Sequence, residues 1–290
     1  MSGRRQGVRP LLRRIVPRPA RRALWAATYG AQELQQRAFE KRLGVSTSGH
    51  VYFEGETGLQ GENAFYEGCQ WLPVRRALRS LDPGPHDVFA DLGSGKGQAL
   101  LIAGRLPYGR VIGVDLMDEL TRDANANIAQ ARPRLRAGHV EAVTADVLEW
   151  PVPDDLSVVF LFSPFLGEVF DGAMRRIFDS YDRNPRRLHI VYDYPWEHNR
   201  LLATGRVVLV DVLPSQWPAR PWWWRTGNAI PIYRVVGEGE RRPAVPALRR
   251  RLFRPRRAIE QWSGPNDRRY TLERDGVVVL TNQPGPQKVV

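Results

Sequence analysis

A chain of 290 residues with a formal net charge of +12 is long enough for one substantial core carrying extensions. It holds no apolar run of the roughly 18 residues that a bilayer-spanning helix needs, which argues against an integral membrane protein. Its single cysteine, Cys69, excludes an internal disulfide, and no continuous apolar signal follows the basic N-terminus, so a reducing, cytoplasmic setting is expected.

Of the 43 basic residues only Lys41, Lys96 and Lys288 are lysine, and the arginines cluster at the ends. Arg4, Arg5, Arg9, Arg13, Arg14, Arg18, Arg21 and Arg22 crowd residues 1–22, which read as a basic, disordered tail. The same acid-free composition suits a transit peptide. From Ala23 to Leu43 breakers are few, and Leu24, Trp25, Tyr29, Leu34, Phe39 and Leu43 recur at helical spacing, predicting one or two helices closed by Gly44. The Gly-, Ser- and Thr-rich stretch GVSTSGHVYFEGETGLQGENAFYEG reads as an irregular loop before a helix near Trp71 to Leu81. Residues 23–86 thus form an N-terminal helical cap and covering loop.

From Asp87 short β-branched runs alternate with helical segments. Strands are predicted at Val88 to Asp91, Val111 to Asp115, Val140 to Ala145, Val158 to Phe162, Leu188 to Asp193, Val207 to Val212 and Ile230 to Val236. Helices are predicted at Gly97 to Arg105, Glu119 to Ala131 and Gly167 to Tyr181. This alternation implies a parallel sheet with helices on both faces, spanning residues 87–237. No helix separates the last two strands, so they are expected to form an antiparallel hairpin at the sheet edge, joined by Leu213 to Asn228. Residues 238–290 are a basic Pro- and Arg-rich extension, with Arg249 to Arg251, Arg254, Arg256 and Arg257 clustered and room for a small hairpin around Arg274, Asp275 and Gly276. The two basic ends suit nonspecific, salt-sensitive contact with polyanions such as RNA, DNA or anionic lipid.

The first predicted strand runs into VFADLGSGKG, where ligands of open parallel sheets gather. A phosphate-binding P-loop is excluded, because Ala90 and Gly97 occupy the positions of its first glycine and its Ser or Thr. The dinucleotide fingerprint fails at Gln98, and Asp91, two residues before the first glycine, would repel a pyrophosphate. A carboxylate there favours a cation. S-adenosylmethionine (SAM), a sulfonium with an α-amino group and no phosphate, meets that requirement.

DLGSGKG followed by VIGVDL resembles the first two motifs of the class I SAM-dependent methyltransferases, over about Asp87 to Val236. The resemblance implies an α/β fold: a Rossmann-like class I methyltransferase sheet with helices on both faces and an antiparallel terminal hairpin, here preceded by the N-terminal helical cap. It implies that Gly93 and Gly95 approach the methionine and ribose, with Ser94, Gly97 and Leu116 in the same cofactor-binding set. Asp91 would engage the amino group, Asp115 the ribose hydroxyls, and Asp146 with the Val147 backbone the adenine. No metal is expected. GVSTSG and ENAFYEG, together with the core, are similar to a bacterial group distantly related to the DOT1-type protein-lysine methyltransferases, in which a loop closes over SAM; here that loop would contribute Tyr66 and Glu67. Ser163 and Gly68 depart from that group's usual Asn and Thr or Pro, so the acceptor stays open.

On the acceptor side, FSPFLGE partly resembles the Asn/Asp/Ser-Pro-Pro-aromatic motif of amino methyltransferases, making Ser163 a catalytic candidate and Pro164 and Phe165 substrate candidates; alternatively the segment only ends a strand. In VYDYPWEH, Asp193, Tyr194, Glu197 and His198 are expected on one face, with Asp193 or His198 as general base. In PSQWPARPWWWR, Trp222 to Trp224 either stack a planar substrate, with Trp223 and Arg225 in contact with it, or roof the core. The expected activity is methyl transfer from SAM to a protein side chain, an RNA or a small molecule; a non-catalytic SAM-binding or scaffold protein is the alternative. The oligomeric state is not readable.

Overall fold

The computed structural model describes residues 18–48, 51–52, 65–66, 68–215, 229–239, 262–263, 269–272 and 278–281. In chain order the elements are α1 (Arg18–Leu43), β1 (Val51–Tyr52), β2 (Phe65–Tyr66), α2 (Trp71–Ser80), β3 (Val88–Leu92), α3 (Gln98–Gly104), β4 (Arg110–Asp115), α4 (Asp118–Ala131), β5 (His139–Thr144), β6 (Leu156–Phe162), α5 (Gly167–Arg183), β7 (His189–Asp193), α6 (His198–Ala203), β8 (Val207–Pro214) and β9 (Ala229–Val235). A short sheet of β10 (Trp262–Ser263), β11 (Arg269–Leu272) and β12 (Val278–Thr281) follows.

The main sheet has seven strands in the order β5-β4-β3-β6-β7-β9-β8, with β9 antiparallel to both neighbours and the remaining pairs parallel. The order reverses at β3, so the crevice beyond the carboxyl ends of β3, β4 and β6 is where this topology receives a ligand. All of β3 is buried, as a central strand covered on both sides must be. Its alternate residues separate the two cores. Phe89 packs with α1 to α4 (Leu43, Trp71, Val74, Leu100, Ile128), whereas Val88, Ala90 and Leu92 pack with α5 and α6 (Phe170, Met174, Ile177, Leu201).

Three differences from the sequence reading have physical causes. The basic N-terminus does not stay a tail to residue 22, because α1 is one helix of 26 residues that begins at Arg18; arginine is a good helix former, and the charge cluster concealed it. The stretch after Gly44 is not wholly irregular. Gly44, at φ 75°, ends α1, the Glu40 carboxylate then accepts from the Thr47 and Ser48 backbone N–H groups at 2.7 and 2.6 Å, and β1 pairs with β2. Beyond the main sheet, β11 and β12 flank the expected turn at residues 274–276 in an antiparallel pair, and β10 adds a third strand. The arginine clusters at residues 4–14 and 249–257 lie outside the described residues. Among those residues no helix is long and apolar enough to cross a membrane.

Gly113, in the middle of β4, is a close-approach point. A Cβ there would come within 2.5 Å of Leu100 Cδ1 and 2.7 Å of Ser94 Oγ, so glycine is what lets α3 and the loop after β3 lie on the strand. Gly113→Ala is expected to destabilise the protein by about 1 to 3 kcal/mol through overpacking, read from the denaturant midpoint.

Candidate cofactor and acceptor site

The loop after β3 places a left-handed residue at every second position: Gly93, Gly95 and Gly97 have φ of 82°, 51° and 80°. Only glycine takes that conformation without steric cost, which accounts for the alternate spacing. The loop folds back over β4. Gly93 and Ser94 donate to the Val114 carbonyl at 2.8 and 3.1 Å, and Gly95 N–H donates to Asp115 Oδ2 at 2.7 Å. The other Asp115 oxygen accepts from Met117 N–H at 2.9 Å. Burial raises the Asp115 pKa against the lowering effect of these backbone donors. One carboxylate thereby fastens the loops after two adjacent strands.

Asp91 differs. It is 3% exposed, and among the described residues no donor meets its carboxylate. Burial, then the neighbouring Asp115 charge, pushes its pKa well above the ordinary value. Among the described residues Ser94 Oγ is buried without a partner. A cationic ligand with donors would answer both groups, so the residues present fit SAM. Asp146 follows β5, half-buried, its Oδ1 accepting from Leu148 N–H at 2.8 Å; Ala145 N–H donates to the Asp115 carbonyl at 2.9 Å and draws that loop alongside β4. Leu116 and Leu148 stand exposed at this rim, and Val147 packs against the core below.

The N-terminal segment reaches the same loop through polar contacts that sequence reading missed. Asn127 of α4 accepts from Ser46 N–H and donates to the carbonyls of Ser46 and Lys96, all at 3.0 to 3.1 Å. Gln98, 2% exposed, donates to the Cys69 carbonyl and exchanges hydrogen bonds with Gln36, which also donates to Thr47 Oγ1 at 3.2 Å. A Cβ at Gly68 would collide with the Gln98 side chain, which explains glycine at that position. The legible signal was a lone glutamine opening the otherwise apolar helix QALLIAG.

On the acceptor side the structure joins the loops after β6 and β7. Ser163 and Tyr194 both have positive φ, 45° and 50°, and Ser163 Oγ donates to the Tyr194 carbonyl. Two non-glycine residues held in this region mark stored backbone strain. Pro164 lies directly against Gly93, and the Phe165 ring is 6.5 Å from Phe170, partly buried on the α5 side. Asp193 is buried, its Oδ1 accepting from Tyr194 N–H at 3.0 Å. Its charge reaches Cys69: burial, then Asp91 and Asp193, raise that thiol's pKa, which keeps it protonated.

The expected shared face of the VYDYPWEH residues does not form. Glu197 turns to α5, accepting from Gly167 N–H at 2.9 Å, and pairs with Arg200 at 3.2 Å. His198 is fully buried, its Nδ1 bonded to the Tyr233 hydroxyl in the core, and burial holds its pKa down at about 4. A solvated and a buried histidine look alike in a sequence. Tyr66 lies in β2; Glu67, Trp222 to Trp224 and Arg225 lie outside the described residues.

A family model described as a methyltransferase domain matches residues 89–184, from β3 through α5. Residues 89–184 are a SAM-dependent methyltransferase domain. That assignment rests on the family match together with the strand order. The methyltransferase is also similar to solved structures. One is a TehB-like SAM-dependent methyltransferase from Corynebacterium glutamicum, at 14% identity and TM-score 0.44, covering 57% of this chain and 88% of that one. An RNA methyltransferase from Salinibacter ruber in complex with S-adenosyl-L-homocysteine has 21% identity and TM-score 0.40, covering 59% and 92%. A geranyl diphosphate C-methyltransferase from Streptomyces coelicolor has 16% identity and TM-score 0.40, covering 56% and 78%. No curated protein sequence matches the methyltransferase.

Two buried groups give the cofactor-free methyltransferase opposite pH responses. Because the folded Asp91 pKa lies above 3.8, its burial costs nothing below that pH and destabilises increasingly as pH rises toward the folded value. Asp91→Asn is therefore expected to raise the melting temperature of the cofactor-free protein at pH 7, the gain shrinking as the pH is lowered toward 4. The folded His198 pKa of about 4 lies below its ordinary 6.5, so its contribution is complete above pH 6.5 and is lost as pH falls toward 4. Acid titration of the unfolding free energy should show about 3 kcal/mol of loss from this group over that interval, a loss absent in His198→Asn.

Proposed function

We propose that the carboxyl edge of β3, β4 and β5 holds SAM, and that its methyl group passes to an acceptor lying beside the joined loops after β6 and β7. The observation that carries the reading is Asp91, a buried carboxylate with no donor among the described residues, at the end of the central strand. Asp91 takes the ammonium group of the cofactor's methionine portion. Each Asp115 oxygen already accepts one backbone N–H and keeps a lone pair for a ribose hydroxyl. Asp146 and the Val147 backbone take the edge of the adenine, with Leu116 and Leu148 against its faces. Gly93, Ser94, Gly95 and Gly97 let the backbone come close, while Tyr66 and Glu67 belong to the covering segment.

Bound SAM supplies an electrophilic methyl group, so the protein's task is chiefly alignment of the acceptor. Ser163 commits its proton to the Tyr194 carbonyl, which leaves Oγ as a hydrogen-bond acceptor for an amine or hydroxyl. Asp193, buried and immediately before Tyr194 in the chain, is the carboxylate that orients or receives the acceptor proton. Pro164, Phe165, Trp223 and Arg225 bound the acceptor's entry. A protein side chain, an RNA and a small molecule all meet these requirements, in a reducing cytoplasmic setting. Residues 23–86 work as part of the cofactor site around the 87–237 core, with residues 1–22 and 238–290 outside it.

Asp115→Ala should weaken both SAM and S-adenosylhomocysteine by about 1 to 3 kcal/mol in calorimetry, because charge-assisted hydrogen bonds are lost. Undiminished affinity would remove Asp115 from the ribose. Asp91→Asn, expected to be the more stable protein when empty, should bind SAM much more weakly; equal binding would end the ammonium assignment. Transfer of labelled methyl from SAM to separated protein, RNA and metabolite fractions then identifies the acceptor.

A further inference from the structure

Away from the cofactor edge, three arginines converge where α1, α2 and the end of α3 meet. Phe39 of α1 stacks on Trp71 of α2, with ring centroids 5.0 Å apart and planes 5° apart. The Arg105 guanidinium, at the end of α3, sits 5.7 Å from the centroid of the same Phe39 ring. Arg42 follows Phe39 by three positions and Arg75 follows Trp71 by four, separations that return to the same side of a helix. The aromatic stack therefore brings Arg42, Arg75 and Arg105 into one patch.

Among the described residues their charges have no counterpart. Elsewhere Arg110, Arg183, Arg187, Arg200 and Arg206 each meet an aspartate at 2.6 to 3.0 Å. Among the described residues no carboxylate pairs with Arg42, Arg75 or Arg105, and the nearby Glu40 is occupied by Thr47 and Ser48. Asp82, beyond the end of α2, makes no ion pair with them either. Arg75 Nε is buried with no hydrogen-bond partner among the described residues. Burial, then the Arg75 and Arg42 charges, lowers the Arg105 pKa, in keeping with their proximity. Three guanidinium groups gathered around one aromatic stack, with no carboxylate among the described residues paired to them, are arranged for an anion of several charges.

We propose that Arg42, Arg75 and Arg105 form a phosphate-binding patch for a nucleic-acid strand. Guanidinium groups match phosphate oxygens two at a time, and a row of cations follows successive phosphates along a backbone. A bilayer fits the patch less well. Arg75 and Arg105 are half-buried between helices, and Leu34, the one large apolar side chain recorded as exposed on these helices among the described residues, lies two turns before Arg42. Gln98, at the cofactor edge, and Arg105 are seven residues apart along α3, or about 10 Å. A strand held at the patch thus runs past the flank of the cofactor site. The inference is independent of the methyl-transfer reading, since a patch that binds nucleic acid does so whether or not SAM is present.

The test is fluorescence anisotropy of the full chain with a single-stranded RNA oligonucleotide over a salt series. Single-strand contacts contribute about 0.7 each to the slope of log K against log salt concentration, so Arg42→Gln should make the slope shallower by about 0.7 and the triple Gln variant by about 2. SAM affinity of both variants should match the parent, which shows that they are folded and separates this result from failure of the cofactor assignments. Unchanged slopes would place all RNA contact in the terminal arginine clusters and overturn the proposal. So would a loss confined to phosphatidylserine vesicles, or protection of the parent by inorganic phosphate with RNA binding unaffected in the variants.

Discussion

Two carboxylates buried next to each other at the ends of adjacent parallel strands set the terms for the rest of the molecule. Asp91 pairs in register with Gly113, two residues before Asp115, so the main chain itself forces the two acids together. Like charges in a poorly hydrated crevice repel, and the fold resolves only one of them. Asp115 is met by N–H groups of the loops after β3 and β4. Reaching it requires the first loop to double back, and doubling back requires the left-handed glycines. Gly113 is the corresponding concession in the strand, where any side chain would hold Ser94 and Leu100 off. Asp91 is met by no donor among the described residues, and burial beside Asp115 raises its pKa, so the protein without a ligand carries an electrostatic strain there.

The parts legible in the sequence were those whose signal is local. Strands buried on both faces are short runs of β-branched and aromatic residues whatever surrounds them, and acids at strand ends announce themselves beside glycine. The antiparallel β9 was readable because no helix lay between the last two strands. What escaped notice depends on long separations. Asn127 meets Ser46 across 81 positions and Gln98 meets Gln36 across 62, and no window of sequence contains both partners. His198 could not be assigned for a different reason: its environment, a tyrosine hydroxyl 35 positions away on β9, decides whether it is a base or a packed neutral ring.

These long-range contacts change the status of the N-terminal region. Glu40, Thr47, Gln36 and Gln98 form a continuous polar chain from α1 to the start of α3, and Thr47 is fully buried within it. Buried polar networks of this kind are stabilising only when every member is satisfied. Segment 44–48 is therefore seated on the glycine loop, and α1 contributes Arg42 to the arginines gathered by the Phe39–Trp71 stack.

The bond from Ser163 to the Tyr194 carbonyl has a consequence for how such a protein can change. Both residues sit in backbone conformations that are tolerated only because each loop braces the other. Replacing the loop after β6 with a relative's version would release the turn after β7, and the reverse exchange would do the same. For recombination, natural or by design, residues 163–166 and 193–197 are one cassette. Side chains can be varied within it, but transplanting either half alone forfeits the shape of the other.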